Sequence, residues 1–206
     1  MVKAVLFDMD GVLVDSFEAW LRLVNSASSE FGYSDISREQ FKSVYGQSTA
    51  SDVALFFPGM TITEVDNYYE NHFHDFKELV YPAPECYATI EELKGLGVSL
   101  AVITNTAGSL AREILKGLDI QIDCVIGGDE VENGKPAPDI VFSACDLLGI
   151  STKDAIVVGD SVYDMESAKI SGACSVGING VMGDYTIHSL KELTGIVENY
   201  PRLLDG

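Results

Sequence analysis

The stretch KAVLFDMDGVLVDS, residues 3–16, contains the first strand-like segment of this chain and its first pair of neighbouring carboxylates. Its first part, 3–8, is a continuous apolar run that ends in a polar residue, which is typical of a buried strand in a parallel sheet covered on both faces. The same pattern recurs in four later segments: 99–104, 124–127, 155–160 and 174–178. Apolar residues at helical spacing lie around these segments, at 85–96, 109–118, 138–148 and 162–171. Strands that alternate with helices predict an α/β fold with a doubly wound, Rossmann-like parallel sheet.

The segment 16–81 differs from the rest of the chain because it lacks a clear strand pattern. Helical stretches succeed one another within it, at 16–31, 37–45, 49–57 and 62–79. Tyr81-Pro82-Ala83-Pro84 then marks the return to the alternating pattern. One interpretation is that this segment is simply more of the main core, but its uniform helicity between strand-rich flanks favours a separate unit. We therefore predict an α/β core of 1–15 and 82–206, with a helical cap domain, 16–81, inserted after the first strand.

Composition argues against several classes of partner. Of the 206 residues, 47% are hydrophobic, which is enough for one substantial core and a smaller accessory domain. The formal net charge of −19 argues against nucleic acid as a partner, because the chain lacks a basic surface to neutralise phosphates. The same charge argues against docking on anionic membranes.

The N-terminus and the cysteines predict a location. Asp8 and Asp10 interrupt the first apolar run, so neither a signal peptide nor a membrane span fits there. The four cysteines lie far apart and form no Cys-x-x-Cys pair: Cys86, Cys124, Cys145 and Cys174. Because widely separated thiols of this kind are typical of a reducing compartment, we predict a cytoplasmic protein.

Polar residues with related chemistry follow the predicted strands. In doubly wound sheets, ligands bind beyond the carboxyl ends of the strands. The set that reaches these ends comprises Asp8, Asp10, Thr104-Asn105, Gly134-Lys135-Pro136, Asp160 and Asp164. Carboxylates and a substrate phosphate supply the oxygen ligands that Mg²⁺ prefers, and an aspartate can act as a nucleophile. An ammonium and a hydroxyl can stabilise a phosphoryl group, so the set as a whole predicts phosphoryl transfer.

Each piece has an alternative interpretation when it is taken alone. Asp8-Met9-Asp10-Gly11 resembles part of a calcium loop, but the glycine comes too early and a strand precedes it. Gly134-Lys135 suggests a nucleotide-binding loop, but Pro136 stands where Ser or Thr belongs. Thr104 alone favours a cap, and Asp160 with Asp164 alone favours charges at a helix N-terminus. The order of the pieces on this strand pattern is what favours the phosphoryl-transfer interpretation.

Four motifs in this order resemble those of the haloacid dehalogenase-like superfamily, over the whole length of the chain. They are Phe7-Asp8-Met9-Asp10-Gly11-Val12-Leu13-Val14-Asp15-Ser16, Val102-Ile103-Thr104-Asn105, Gly134-Lys135-Pro136-Ala137-Pro138-Asp139 and Val158-Gly159-Asp160-Ser161-Val162-Tyr163-Asp164. The insert, 16–81, resembles the helical C1-type cap of the β-phosphoglucomutase and phosphoglycolate phosphatase branch.

The resemblance implies roles for the two carboxylates of the first motif. Asp8 is expected to be the nucleophile and a metal ligand. Asp10 is expected to protonate the leaving alkoxide and then to activate water, while its backbone carbonyl binds the metal. A carboxylate at Asp10 also favours phosphoester chemistry, since dehalogenases and phosphonate hydrolases of the superfamily usually lack one there.

The resemblance also implies roles for the later motifs. Thr104 and Asn105 are expected to contact the phosphate, and Lys135 to neutralise Asp8 and the phosphoryl oxygens. Asp160 is expected to complete a Mg²⁺ site, with Asp164 ligating through water or orienting its neighbours. Without a cation, these crowded carboxylates raise one another's pKa, so we expect metal and substrate to bind cooperatively.

The loop Gly46-Gln47-Ser48-Thr49 occupies the position of the superfamily's substrate-specificity loop. It carries hydroxyls and an amide but no Arg or Lys. A second anionic group on a substrate, as in phosphoglycolate, is expected to need a cation there, so the loop suits a neutral polyol or sugar better.

The leading hypothesis is a magnesium-dependent phosphatase that hydrolyses a small phosphomonoester, a sugar phosphate or a phosphoglycolate-like compound, through an aspartyl-phosphate on Asp8. A sugar phosphomutase like β-phosphoglucomutase is the alternative, and a non-catalytic phosphometabolite-binding domain is a third possibility. The expected partner is a small phosphorylated metabolite, and the expected state is a monomer or small homo-oligomer.

Overall fold

A computed structural model describes residues 1–203 of the chain. Six parallel strands form the main sheet in the order β5-β4-β1-β6-β7-β8. In chain order the strands are β1 Ala4–Phe7, β2 Val14–Asp15, β3 Tyr81–Pro82, β4 Ser99–Thr104, β5 Cys124–Gly127, β6 Ala155–Gly159, β7 Cys174–Gly177 and β8 Tyr185–Thr186. The doubly wound α/β fold predicted from the sequence is confirmed, with β8 as an additional short edge strand.

Helices flank the sheet and fill the segment between β2 and β3. They are α1 Phe17–Phe31, α2 Arg38–Lys42, α3 Thr49–Leu55, α4 Ile62–His72, α5 Cys86–Gly95, α6 Gly108–Gly117, α7 Asp139–Leu148, α8 Val162–Ser171 and α9 Glu192–Leu203. Short 3-10 helices occupy Phe73–Leu79, Gly128–Glu130 and Thr152–Asp154. Among residues 1–203, no helix is long and apolar enough to cross a membrane.

The first strand is buried on both faces, which explains its unbroken apolar sequence. Val5 and Phe7 point into one core cluster, together with residues of α1, α5 and α6. Ala4 and Leu6 point into the other, against α7 and α8. All four side chains are fully buried. Burying a side chain as large as Leu or Phe stabilises the fold by about 1.5–3 kcal/mol, so this strand anchors both layers.

The register of β1 places the carboxyl ends of three strands side by side. Phe7 pairs with Val102 of β4 on one side and with Val158 of β6 on the other. The residue after Phe7 continues this pairing, since the Asp8 amide donates to the Val158 carbonyl at 2.8 Å. The motif residues after β1, β4 and β6 therefore meet at one edge of the sheet.

Helices α1 to α4 lie within the segment predicted to be a cap. This segment leaves and rejoins the rest of the chain through an antiparallel pair, Val14 with Pro82 and Asp15 with Tyr81. The sequence pattern did not reveal this pair, because two-residue strands carry no periodicity. The boundaries 16 and 81 remain a prediction that the paired strands support.

Candidate active site

Lys135 lies at the centre of a buried ion-pair network. Its Nζ donates to Oδ1 of Asp8 at 2.7 Å and to Oδ1 of Asp164 at 2.6 Å. It also donates to the carbonyl of Ile103 at 3.1 Å. The Lys135 side chain is 1% exposed, and both carboxylates are as deeply buried. Because buried charges are tolerated only when they are paired, this network fixes the Asp8 carboxylate at the end of β1.

Asp164 has both carboxylate oxygens in contact with protein donors. Oδ1 accepts from Lys135, and Oδ2 accepts from the backbone N of Ser161 at 3.1 Å and from its hydroxyl at 2.5 Å. Ser161 is the N-cap of α8 and forms a capping box with Asp164. The arrangement suits the expected orienting role of Asp164 better than direct ligation of a metal.

Three carboxylates converge beside this network. Asp8, Asp160 and Asp164 each place one oxygen within 4.8 Å of the others. The loop after β1 approaches Asp160 so closely that a Cβ at Gly11 would lie 2.0 Å from Asp160 Oδ2. Gly11 also has a φ of 81°, a conformation that other residues rarely adopt. Any other residue at position 11 would therefore have a strained backbone and would collide with the Asp160 carboxylate.

Burial and crowding shift the pKa values of these groups. Burial raises the pKa of Asp8 well above its ordinary value; Lys135 opposes this shift, and Asp164 and Asp160 add to it. Burial likewise raises the pKa of Asp160 to about 7, with Asp164 adding to the shift. Burial lowers the pKa of Lys135, but Asp164 and Asp8 raise it by more, so its ammonium stays charged.

When they are ionised, the three carboxylates carry more negative charge than the single ammonium of Lys135 offsets. A divalent cation would supply the missing positive charge, and the converging donors are the hard oxygens that such a cation prefers. The aspartate cluster therefore fits a metal ion, with Asp8 and Asp160 offering the most available oxygens.

Asp10 is not one of the three converging carboxylates, and three donors hold it. Oδ1 accepts from the Ser16 hydroxyl and from Trp20 Nε1, the latter at 2.9 Å. Oδ2 accepts from the Thr106 hydroxyl at 2.9 Å. The Ser16 hydroxyl also contacts the Tyr45 hydroxyl at 2.8 Å. The carboxylate of Asp10 thus accepts hydrogen bonds both from the helical segment, through Ser16 and Trp20, and from the loop after β4, through Thr106.

Thr104 and Asn105 lie beside Asp8, as the pairing of β1 with β4 requires. The Thr104 hydroxyl is buried and accepts from the Thr106 amide at 3.1 Å. Asn105 bridges two loops: its Nδ2 donates to the carbonyls of Gly46 and Lys135, both at 3.0 Å, and its Oδ1 accepts from the Lys135 amide at 2.8 Å. The Asn105 side chain is therefore engaged in holding these loops together, and its expected phosphate contact remains a prediction.

A cavity lies between the sheet edge and the helical segment. It is lined by Asp8, Asp10, Thr104 and Asn105 from one side and by Gly46, Gln47 and Thr49 of the predicted specificity loop from the other. Ser48 is not among the lining residues and contacts Ser51 instead, at 3.4 Å. Lys135 lies beneath Asp8, outside the lining.

The cavity also contains residues that the sequence motifs did not single out. From the helical segment they are Trp20, Val24, Phe41, Val44, Tyr45, Asp52, Asp66, Tyr69 and Glu70. Thr106 directly follows the Thr104-Asn105 motif, so its position was a usable signal. The others are separated from the motifs along the chain, and helical periodicity does not show which face meets the sheet.

Asp52 is a buried carboxylate of α3 with two donors of its own. Gln47 Nε2 donates to Oδ1 at 2.6 Å, and the Tyr69 hydroxyl donates to Oδ2 at 2.9 Å. Burial raises the pKa of Asp52 to about 6, although the hydrogen bonds from Gln47 and Tyr69 oppose this shift. The Asp52 carboxylate therefore links Gln47 of the specificity loop to Tyr69 of α4.

We expect the substitution Asp52→Asn to change how stability depends on pH. Because the folded-state pKa of Asp52 is raised, its contribution to stability is full below the unfolded value of 3.8 and is lost as the pH rises towards about 6. The melting temperature of Asp52→Asn relative to the wild type should therefore rise between about pH 4 and about pH 7, by a few degrees. Thermal unfolding at both pH values measures this, with the exposed Asp35→Asn as control. A difference that stays constant with pH would contradict the assignment.

The protein has a doubly wound parallel sheet. At the carboxyl ends of its central strands, Lys135 holds the Asp8 carboxylate beside a cluster of aspartates that fits a metal ion. This arrangement is typical of an α/β enzyme with its active site at that edge of the sheet. The sequence profile of the family described as haloacid dehalogenase-like hydrolase matches residues 5–178. The chain belongs to this family, and the resemblance carried by the four motifs is confirmed.

Relatives and solved structures agree with this membership. The chain is 32% identical to a phosphoglycolate phosphatase of Neisseria meningitidis serogroup A, over 94% of this chain and 87% of that protein. It is 28% identical to a phosphorylated carbohydrates phosphatase of Thermotoga maritima, over 96% of this chain and 91% of that protein. A solved structure from Geobacter sulfurreducens, described as a HAD-superfamily hydrolase of subfamily IA, superposes with a TM-score of 0.78 at 26% identity, over 95% of this chain and all of that one.

Proposed function

We propose that this protein is a magnesium-dependent phosphatase that hydrolyses a small phosphomonoester through an aspartyl-phosphate on Asp8. The observation that carries the proposal is the buried contact of Lys135 Nζ with Asp8 Oδ1, at 2.7 Å, directly beneath the cavity that Asp10 also lines. The phosphatase class predicted from the sequence is confirmed by the relatives, whose names specify phosphatases of small phosphorylated compounds. The roles of individual residues are proposals.

In the first step, an oxygen of Asp8 attacks the phosphorus atom, and the bond between phosphorus and the alcohol oxygen breaks. Lys135 keeps the carboxylate in place and balances the charge that gathers on the phosphoryl oxygens. Asp10, as the acid, gives its proton to the departing alkoxide. The products of this step are the free alcohol and the acyl phosphate on Asp8.

In the second step, water attacks the phosphorus and the acyl phosphate bond breaks. Asp10, now a carboxylate, takes the proton of that water. Asp8 is restored as a carboxylate and inorganic phosphate leaves. A divalent cation, bound by Asp8 and Asp160, would neutralise the phosphoryl oxygens that face these carboxylates.

The function is tested by phosphate release from a panel of phosphomonoesters, with Mg²⁺ and with EDTA. We expect release with Mg²⁺ and loss of it in EDTA. Conversion of β-glucose 1-phosphate to glucose 6-phosphate without phosphate release would instead show a mutase. Binding of phosphorylated compounds without turnover in Mg²⁺ would show a non-catalytic domain.

Trp20 offers a separate test of Asp10, since it donates from the helical segment to Oδ1 at 2.9 Å. The substitution Trp20→Phe removes this donor but keeps a ring against Tyr69 and Phe73, whose centroids lie 5.7 and 5.0 Å away. We expect kcat for an alkyl phosphate to fall about 10-fold, because a misaligned acid no longer protonates the alkoxide well.

Acetyl phosphate serves as the internal control for Trp20→Phe, because its leaving group needs no acid. In the variant, the steady-state rate should therefore fall for the alkyl phosphate and stay close to the wild-type rate for acetyl phosphate. An equal fall on both would show that Trp20 supports the cavity as a whole rather than Asp10.

A further inference from the structure

The wall of the cavity opposite the proposed nucleophile is acidic. Asp52, Asp66 and Glu70 line it from α3 and α4. Within the part of the chain that the structure describes, no Lys, Arg or His is among the lining residues. Both oxygens of the buried Asp52 already accept from Gln47 and Tyr69, so Asp66 and Glu70 are the carboxylates of this wall that a ligand can meet.

Asp66 and Glu70 lie one helical turn apart on the same face of α4. Like charges at this spacing oppose each other. Burial raises the pKa of Asp66, a hydrogen bond from Thr49 opposes the shift, and Asp129 and Glu70 add to it. Glu70 is exposed at the rim of the cavity and accepts from the Ser109 hydroxyl at 3.1 Å. These two carboxylates therefore lack a cation and would gain one or more donors from a suitable ligand.

Among the described residues, no basic side chain of the helical segment lines this cavity; the segment contains Arg22, Arg38, Lys42, His72, His74 and Lys77. Arg22 and Arg38 both pair with Glu18 at the surface. His74 and Lys77 line a different cleft, beside Ile114 of α6. The negative charge of Asp66 and Glu70 is therefore not balanced by a basic side chain in the lining of the cavity.

Polar and aromatic groups complete the same wall. Gln47 and Thr49 offer an amide and a hydroxyl, and Trp20 and Tyr69 offer ring faces and edges. Such a mixture suits a ligand with a carbon skeleton and several hydrogen-bond donors.

We propose that the substrate is a phosphomonoester whose alcohol part carries hydroxyl or ammonium donors and no second anionic group, with Asp66 and Glu70 as specificity-determining residues. This inference rests on the proposed phosphatase function. A distal carboxylate, as in phosphoglycolate, would face the half-buried Asp66 and the exposed Glu70, and the like charges would repel it. Hydroxyls or an ammonium would instead donate to the same oxygens.

A matched series of phosphomonoesters tests the proposal in the presence of Mg²⁺. Hydroxyethyl phosphate, aminoethyl phosphate and phosphoglycolate have the same skeleton and differ only in a terminal hydroxyl, ammonium or carboxylate. We expect kcat/KM for either of the first two to exceed that for phosphoglycolate by about 10-fold or more. The first two compounds also distinguish a polyol-like from an amine-like substrate.

Charge reversal at the rim provides the matched variant. Glu70→Lys should raise kcat/KM for phosphoglycolate relative to hydroxyethyl phosphate by about 10-fold, because the ammonium attracts the distal carboxylate. Glu30→Lys, exposed at the end of α1 and outside the cavity, should leave this ratio unchanged. A ratio is insensitive to differences in folded fraction between preparations.

Acetyl phosphate separates failure of this inference from failure of the proposed function. If acetyl phosphate is hydrolysed and the wild type prefers phosphoglycolate, the specificity inference is wrong while the phosphatase function stands. A Glu70→Lys ratio equal to that of the wild type would also overturn the inference. If no compound is hydrolysed, acetyl phosphate included, the proposed function itself fails.

Discussion

Asp8→Asn should lose about 10⁴-fold or more in kcat on any phosphomonoester that the wild type hydrolyses, because the amide cannot form the acyl phosphate. The substitution is nearly isosteric, and its Oδ1 can still accept from Lys135, which lies 2.7 Å from that atom in the wild type. The substitution also removes a buried carboxyl whose pKa is raised by burial, with Asp164 and Asp160 adding to the shift. The variant should therefore fold, and its thermal stability should match or exceed that of the wild type in EDTA.

Steady-state phosphate release in Mg²⁺ measures the loss, with Asp35→Asn on the exposed side of the helical segment as the matched control. Acid quenching of the wild type during turnover, followed by mass spectrometry of its peptides, should find the phosphoryl group on the peptide that contains Asp8. Near wild-type turnover in freshly prepared Asp8→Asn would refute nucleophilic catalysis by Asp8.

Lys135→Met should destabilise the fold strongly, by about 3–5 kcal/mol at neutral pH without metal. Its Nζ is the shared donor for Asp8 and Asp164, and its side chain is 1% exposed. Without the ammonium, two buried carboxylates lose their counter-charge. Phosphate release should also fall, by about 10³-fold, since no other buried cation holds Asp8 within the described residues.

Denaturant unfolding at two pH values separates this electrostatic effect from lost packing. Burial already raises the pKa of Asp8, and without the ammonium this carboxyl takes up a proton more readily as the pH falls, so the destabilisation should shrink between about pH 7.5 and about pH 5. The double variant Lys135→Met with Asp164→Asn should be less destabilised than Lys135→Met alone, and exposed Lys116→Met should be near neutral. A destabilisation that is equal at both pH values would show that lost packing, not unpaired charge, is responsible.

The amino-acid sequence by itself determined the sheet and the set of groups at its edge. Runs of four or five residues without a polar side chain, such as Ala4–Phe7 and Ala155–Gly159, are typical of strands with both faces covered, so they predict the parallel centre of the sheet. Parallel strands end at the same edge, and for that reason the strand pattern alone predicts that Asp8, Thr104 and Asp160 meet. The four motifs then narrowed their chemistry to that of the haloacid dehalogenase-like family.

Only the tertiary structure decided which of these groups touch and what faces them. Lys135 contacts Asp164 and Asp8 across 29 and 127 positions of the chain, and Thr106 reaches Asp10 across 96. No periodicity encodes contacts of that kind, because they depend on how loops fold over the sheet edge. The acidic wall formed by Asp66 and Glu70 has the same origin. Their spacing places them on one face of a helix, but the packing of α4 against α1 and α3 is what makes that face part of the cavity.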